Sequence, residues 1–120
     1  MARINERQKH LFQALEGVGT VSLAIGPQGI TCHVVDYCYI TETETEDRLD
    51  FGNGTHHMHI DWARLKRATC GIVEGRAAIT FQDGDLVLFR IYKPDGDFPE
   101  GIRRMCGQLI FPSDSTLTTT

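Results

Sequence analysis

Apolar residues recur at every second position over short segments of this chain, and turn-forming residues separate the segments. Val21, Leu23 and Ile25 show the alternation, which is typical of a strand with one buried face. Asp83 and Gly84 form the strongest hairpin signal, because both positions tolerate a left-handed backbone. Many short strands joined by tight turns predict a mostly antiparallel sheet.

The pattern predicts strands at residues 20–25, 30–35, 37–41, 49–51, 55–60, 68–74, 76–82 and 86–92. In the last of these strands, Val87, Phe89 and Ile91 are expected to share one face. Turns are predicted at residues 26–29, 52–54 and 74–75, where glycine supplies a positive φ. The acidic stretch 42–47 is interpreted as a solvated loop or an exposed edge, whose charge discourages edge-to-edge pairing.

Helical signals lie at both ends of the chain. Asn5 is a good N-cap for a helix that carries Leu11, Phe12 and Leu15 at helical spacing, and Gly17 ends it. Asp61 can cap a short helix at residues 62–66, in which Trp62 is expected to be a core or interface anchor.

Pro99 suits the first turn of a final helix, because its missing N–H has no partner there in any case. Ile102, Cys106 and Leu109 would form the inner stripe of that helix. The predicted fold is therefore α+β, with a mostly antiparallel sheet of about seven to nine strands and an N-terminal and a C-terminal helix packed on it. With 120 residues, we expect one domain over 1–112 and a disordered polar tail at 113–120.

Charge and hydropathy exclude several classes of partner. The net charge is −4, so there is no basic footprint for nucleic acid or an anionic membrane. No apolar run reaches membrane-spanning length, and the N-terminus has no apolar signal core. A cytoplasmic location is the expectation.

The four cysteines are Cys32, Cys38, Cys70 and Cys106. None belongs to a C-x-x-C pair, so a zinc ribbon is not supported. Without a secretory signal, disulfides are not expected. We interpret all four as mostly buried small hydrophobic residues.

Three of the five histidines fall at His56, His57 and His59. On a strand His57 and His59 share one face, about 7 Å apart at Cα, while Met58 and Ile60 point to the core. Imidazole nitrogen is a good ligand for iron, zinc or copper. The alternative to a ligand site is a solvated strand face.

The same residues fit two kinds of site. His33, His57 and His59 would give a zinc ion three ligands if their strands are neighbours. A haem needs one or two axial ligands, an apolar slot and cations for its propionates, for which Arg64 and Arg67 are candidates. No acid–base pair, activated nucleophile or nucleotide-binding motif is apparent, so the chain is more readily interpreted as a non-enzyme.

The segment 57–68, which reads His-Met-His-Ile-Asp-Trp-Ala-Arg-Leu-Lys-Arg-Ala, resembles a segment of the HemS/ChuX/HutX haem-utilisation family. The family's repeat has a strand with a leucine-histidine-leucine core, a short helix, and a strand that opens with alanine. His59, Leu65 and Ala68 fall at the matching positions, and the resemblance extends over roughly residues 10–110. The loop after Val73 is shorter than the family's, and His33 is one position out of register.

The resemblance implies a cytosolic haem carrier of the short type, in which two chains pair as a homodimer. It implies that the face with His57 and His59 is the ligand or dimer face, with His59 as the axial ligand and His33 or His57 as the second. Two alternatives stay open: a dimeric interaction module that kept the fold without haem, and a small metal-binding protein that uses His33, His57 and His59.

Overall fold

A computed structural model describes residues 1–26 and 31–110 of the chain. These residues include two α-helices, α1 (Glu6–Glu16) and α2 (Glu100–Met105), and a 3₁₀ turn at Trp62–Arg64. The strands are β1 (Val21–Ile25), β2 (Cys32–Asp36), β3 (Cys38–Glu42), β4 (Asp47–Phe51), β5 (His56–His59), β6 (Arg67–Val73), β7 (Arg76–Asp83), β8 (Leu86–Tyr92) and β9 (Gly107–Gln108).

The described strands form two antiparallel sheets. One has six strands in the order β2-β1-β8-β7-β6-β9, and the other has three in the order β3-β4-β5. Each sheet is built mainly from hairpins between strands adjacent in sequence, as the turn signals predict. The predicted α+β class and its mostly antiparallel sheet are confirmed.

Helix α1 covers the core that both sheets share. Leu11, Phe12 and Leu15 are fully buried on one face of the helix, as their spacing predicts. The Phe12 ring stacks on Phe81 with centroids 5.2 Å apart. It also meets Trp62 edge-on at 5.4 Å. These two arrangements are the ones that aromatic quadrupoles favour.

The start of α1 is held by a capping box between Asn5 and Gln8. The Asn5 side chain accepts a hydrogen bond from the Gln8 N–H, and the Gln8 side chain accepts one from the Asn5 N–H. Asn5 Nδ2 also donates to the Leu109 carbonyl at 3.0 Å, which ties the first helix to the end of the described chain. The predicted N-cap is confirmed.

The prediction that Val87 shares one face of β8 with Phe89 and Ile91 is wrong. Phe89 and Ile91 are buried, but Val87 is 40% exposed. A register shift between Phe81 and Gln82 pairs Gln82 with Val87 and leaves Leu88 without a partner in β7. Such a bulge moves the residues beyond it to the other side of the sheet, and sequence alternation does not reveal it.

The turn of this hairpin also lies one residue later than its sequence signal. Asp83 pairs with Leu86 as part of the ladder, so the two loop residues are Gly84 and Asp85. Only Gly84 has a positive φ, of 60°.

The C-terminal helix is shorter than predicted. It ends at Met105, and Cys106 is already extended. Gly107 then takes a φ of 126°, which lets β9 pair with the start of β6. Leu109 is buried but lies beyond the helix, so apolar spacing alone overstates the helix length. The short helix predicted at residues 62–66 is only a 3₁₀ turn.

The cysteines are less buried than predicted. Cys38 is buried, Cys70 and Cys106 are half-buried, and Cys32 is exposed. Cys32 lies on β2, an edge strand of the larger sheet, and no residue of β2 is fully buried.

Two predicted features fall outside the described residues: most of the turn at 26–29, and the polar tail at 113–120. Within the described residues, no helix is long and apolar enough to cross a membrane.

Candidate functional site

Polar side chains occupy one face of the three-stranded sheet, here called the polar face. Its members form two cross-strand rows, Tyr39-Asp50-His57 and Thr41-Arg48-His59. Side chains directly opposite one another in an antiparallel ladder lie within contact distance. The pairing of three short strands therefore gathers a phenol, a guanidinium, a carboxylate and two imidazoles on one surface.

The alternation along β4 explains why this face is polar. Leu49 and Phe51 are fully buried against the core. Because successive strand residues point to opposite faces, Arg48 and Asp50 must point away from that core. The hydrophobic residues thus fix the register, and the register presents the polar ones.

His57 and His59 lie side by side on β5, an edge strand. Their ring centroids are 5.2 Å apart and the rings are nearly perpendicular. The prediction that they share a face is confirmed. Met58, between them, is half-buried, and Ile60 is 5% exposed, so the opposite face is the one that packs on the core.

His59 has a carboxylate partner that the sequence did not suggest. Its Nδ1 lies 2.8 Å and 2.9 Å from the two carboxylate oxygens of Glu46. A carboxylate accepts but cannot donate, so Nδ1 carries the proton and neutral His59 has its lone pair on Nε2. The side chain is 54% exposed. This arrangement fixes the orientation of an imidazole, as carboxylate partners do for metal-ligating histidines.

Glu46 is positioned by a local turn. Thr43 Oγ1 accepts a hydrogen bond from the Glu46 N–H at 3.1 Å and donates one to the Glu46 carbonyl at 2.8 Å. Threonine hydroxyls commonly close turns in this way. The acidic stretch predicted to be a solvated loop therefore contains one carboxylate that is directed at the polar face.

Asp50 is buried at the centre of the polar face, with 4% of its surface exposed. Its Oδ2 accepts a hydrogen bond from Thr41 Oγ1 at 2.7 Å and lies 3.5 Å from Arg48 Nη2. Within the described part of the chain, Asp50 Oδ1 and Arg48 Nε are buried without a hydrogen-bond partner. Unpaired buried polar atoms cost folding free energy, so this pair is suited to a further partner.

Two tyrosines border the pair. Tyr37 and Tyr39 stack with centroids 6.0 Å apart, and Tyr37 is 45% exposed. Partial burial, and then the nearby Asp50 carboxylate, raise the pKa of Tyr39 above its ordinary value, so its hydroxyl stays protonated. The tyrosines give the polar face an aromatic side.

The other predicted site residues lie elsewhere. His33 is on β2 of the larger sheet and lines a separate cleft with Arg76 and Tyr92. Arg64 is ion-paired with Asp83. The described residues contain no group of three or more His, Cys, Asp or Glu side chains placed to hold a metal ion. The fold therefore does not assemble the three-histidine set.

Arg67 lies at the start of β6, opposite Gln108 of β9. It lines a surface cleft with Lys66 and Gln82, whose described lining includes neither His57 nor His59. Neither of the two predicted arginines is grouped with these histidines.

Sequence reasoning missed Glu46, Arg48 and Asp50. The signal for Arg48 and Asp50 was present, since they alternate with Leu49 and Phe51 along the chain. Strand β4, however, was predicted to begin only at Leu49. Nothing local pointed to Glu46, because its partner His59 is 13 residues away.

The fold and the site thus define the class of this protein as an α+β domain with a histidine-bearing polar face. The chain is similar to Protein AGR_C_4470 from Agrobacterium tumefaciens, whose X-ray structure superimposes with a TM-score of 0.55 at 14% identity. The match covers 83% of this chain and 63% of that one. At this identity the likeness shows a shared fold. No protein-family model and no curated protein matches the chain.

Proposed function

We propose that this protein binds haem on the polar face, with His59 as the axial ligand. The observation that carries the proposal is the Glu46–His59 contact, at 2.8 and 2.9 Å. It places the imidazole lone pair on Nε2 of a half-exposed side chain, which is the state in which histidine binds iron.

The chemistry of the surrounding side chains fits the group. Arg48 stands next to His59 in the ladder and has a buried Nε without a partner among the described residues; guanidinium pairs well with a propionate carboxylate. Tyr37 and Tyr39 offer aromatic surface for a flat ring. Haem would supply its iron when bound, and these side chains would hold the group on the polar face.

In this proposal, one role expected from the sequence is narrowed and another is reassigned. His57, with its ring centroid 5.2 Å from that of His59, is the second histidine in this proposal, because His33 lines a different cleft. Arg48 takes the propionate role in place of Arg64 and Arg67, because Arg48 stands next to His59 in the ladder and neither of the other two is grouped with these histidines. The site is thus contained within one sheet.

We further propose that the protein is a cytoplasmic haem carrier that acts as a homodimer, as the resemblance to the short haem-utilisation proteins implies. Light scattering during size-exclusion chromatography tests the dimer directly. A mass of one chain at all concentrations would contradict this part of the proposal and leave haem binding to be judged separately.

A haemin titration of the purified protein tests the binding. We expect a saturable shift of the Soret band in the wild type and its loss in His59→Ala. His10→Ala is the matched control, because His10 is an exposed histidine on α1 with a side chain that is 66% exposed, and its titration should match the wild type. A wild-type titration that matches an unrelated protein would contradict the proposal and favour the interaction module.

Glu46→Gln tests the carboxylate without removing the ligand. The amide keeps the shape but not the charge, so Nδ1 of His59 loses its carboxylate partner. We expect haemin affinity to fall by about 10-fold, the order of effect found for partners of metal-bound histidines. Glu44→Gln, an exposed change in the same loop, is the control. Equal affinities in all three proteins would remove Glu46 from the site.

A further inference from the structure

Two cysteine side chains meet at the β6–β9 edge of the larger sheet, whereas the polar face belongs to the smaller sheet. Cys70 is in the middle of β6, and Cys106 follows α2 directly. Their Sγ atoms are 3.1 Å apart although 36 residues separate them in the chain. The pairing of Gly107 with Ala68 between β9 and β6 brings them together.

This contact is specific to one pair of the four cysteines. Among the described residues, no other two sulfurs lie within hydrogen-bond distance. Bond formation between Cys70 and Cys106 requires their sulfurs to approach from 3.1 Å to about 2.05 Å. A movement on that scale is within the reach of side-chain rotation, so the fold already holds the two thiols in position.

The two thiols are not equivalent. The hydrogen bond shared with Cys106 lowers the pKa of Cys70, and the charge of Arg103 lowers it further, whereas burial and the negative charge of Asp97 raise it. The same hydrogen bond and burial raise the pKa of Cys106. Cys70 is therefore the more acidic of the two thiols. A thiolate is the reactive form of cysteine.

Access to the pair is also one-sided. Cys70 lines an open cleft of about 470 Å³, together with Ile72, Phe98, Asp97, Glu100, Arg103 and Arg104. Cys106 is not part of that lining, and its Sγ is 3.5 Å from the Ile102 carbonyl behind it. Arg103 pairs with Asp97 at 3.3 Å and with Glu100. A small molecule entering the cleft therefore meets Cys70 first.

We propose that Cys70 and Cys106 form a dithiol site that reduces hydroperoxides, with Cys70 as the attacking sulfur and Cys106 as the resolving one. The Cys70 thiolate attacks the terminal oxygen of the hydroperoxide, the O–O bond breaks, and the departing alkoxide or hydroxide takes a proton from water. Cys70 is then a sulfenic acid. Cys106 attacks that sulfur, an S–S bond forms, and the hydroxyl leaves as water with the Cys106 proton.

The two thiols thus supply the two electrons that the O–O bond accepts. The product is a disulfide that links β6 to the segment after α2. Such reversible disulfides are the kind found in reducing compartments. The proposal does not depend on haem binding, because none of its residues lies on the polar face.

Peptide mapping of the full-length protein tests the site. Reduced protein is treated with an equal amount of hydrogen peroxide, free thiols are blocked with N-ethylmaleimide under denaturing conditions, and the chain is cut with trypsin. Cys70 and Cys106 fall on separate peptides, 68–76 and 105–120, while Cys32 and Cys38 share peptide 10–48. We expect peptides 68–76 and 105–120 to appear linked, two hydrogens lighter, and to separate on reduction with dithiothreitol.

Two variants assign the roles. In Cys106→Ser the disulfide cannot form, so Cys70 should accumulate as a sulfenic acid that dimedone labels. In Cys70→Ser we expect no linked peptides, and we expect Cys106 to be oxidised no faster than in the wild type. Cys32 is the internal control for exposure alone. Absence of the linked peptides, or dimedone labelling of peptide 10–48 in preference to 68–76, would overturn the proposal.

Discussion

Gln8 is a polar residue with no exposed surface, on the inner face of α1. Its Nε2 donates to the carbonyls of Trp62 and Leu65 at 2.8 and 3.0 Å. Its Oε1 accepts from the Asn5 N–H. One side chain thus caps its own helix and donates to two carbonyls of the turn that follows β5. These hydrogen bonds fix the end of β5 relative to α1 and the core.

Replacing Gln8 by leucine should therefore destabilise the protein, although leucine is apolar and similar in size to glutamine. Gln8→Leu leaves the Leu65 carbonyl and the Asn5 N–H without a partner, whereas the Trp62 carbonyl keeps the Leu65 N–H. We expect the free energy of unfolding to fall by about 2–4 kcal/mol. Urea denaturation measures it. Gln13→Leu on the exposed side of α1 is the matched control and should change little. Equal stability of the two variants would mean that water replaces the lost hydrogen bonds.

At the scale of elements, the β6–β7 hairpin has a two-residue turn with both φ angles positive. Gly75 has a φ of 79° and Glu74 a φ of 52°. Such turns match the right-handed twist of the flanking strands. Glycine adopts this conformation freely, whereas glutamate adopts it against a steric cost. Cys70 lies on β6 of this hairpin, so the turn helps to position the strand that carries it.

Glu74→Asn should stabilise the protein. Asparagine tolerates the left-handed region and is favoured at this turn position, so we expect a gain of about 0.5–1 kcal/mol. A thermal melt monitored by circular dichroism measures the gain. Asp85→Asn is a suitable control, since Asp85 is in a hairpin loop of equal length but has a negative φ. A lower melting temperature for Glu74→Asn would show that the Glu74 side chain stabilises the turn in another way.

At the scale of the whole molecule, the N-terminal segment ties distant parts together. Arg3 makes two hydrogen bonds to the buried Asp47 carboxylate, at 3.0 and 2.8 Å, and the Ile4 N–H makes a third at 2.9 Å. The hydrogen bond from Arg3, followed by that from Ile4, lowers the pKa of Asp47 below its ordinary value of 3.8. Asp47 is the first residue of β4, so this contact joins the smaller sheet to the chain's start.

This contact predicts a defined acid sensitivity. Because the folded state holds Asp47 ionised, the unfolded state binds more protons near pH 3.8, and stability there rises with pH. The contribution is complete above that pH and is lost as the pH falls through the lower, folded-state pKa. We expect Asp47→Asn and Arg3→Gln both to be less stable at neutral pH and to lose less on acidification than the wild type.

Urea denaturation at a series of pH values between neutral and acid measures this difference. Parallel curves for wild type and both variants would show that other carboxylates control acid unfolding. Asp83 is the natural next candidate, because Lys66 and then Arg64 lower its pKa.

Much of the fold followed from local pattern. The N-cap of α1 and the hairpins between neighbouring strands are set by contacts within a few residues, and these are the contacts that periodicity and turn chemistry report. The α+β class follows from the order of these elements along the chain. The shared face of His57 and His59 is equally local, because it depends only on the alternation of a strand. The bulge at Leu88 was not predictable, because sequence alternation does not reveal an extra residue in a hairpin. The end of α2 at Met105 was not predictable, because β9 follows it and pairs with the distant strand β6.

The sequence by itself determined that two histidines stand together on a polar strand face. Only the tertiary structure decided what surrounds them. Glu46 reaches His59, Arg48 and Asp50 lie beside the pair, and His33 lies in another sheet. Cys70 and Cys106 likewise meet only because β9 returns to β6. Local spacing encodes which way a side chain points, whereas the neighbours it meets depend on which strands pair, and that is settled by burying one common core.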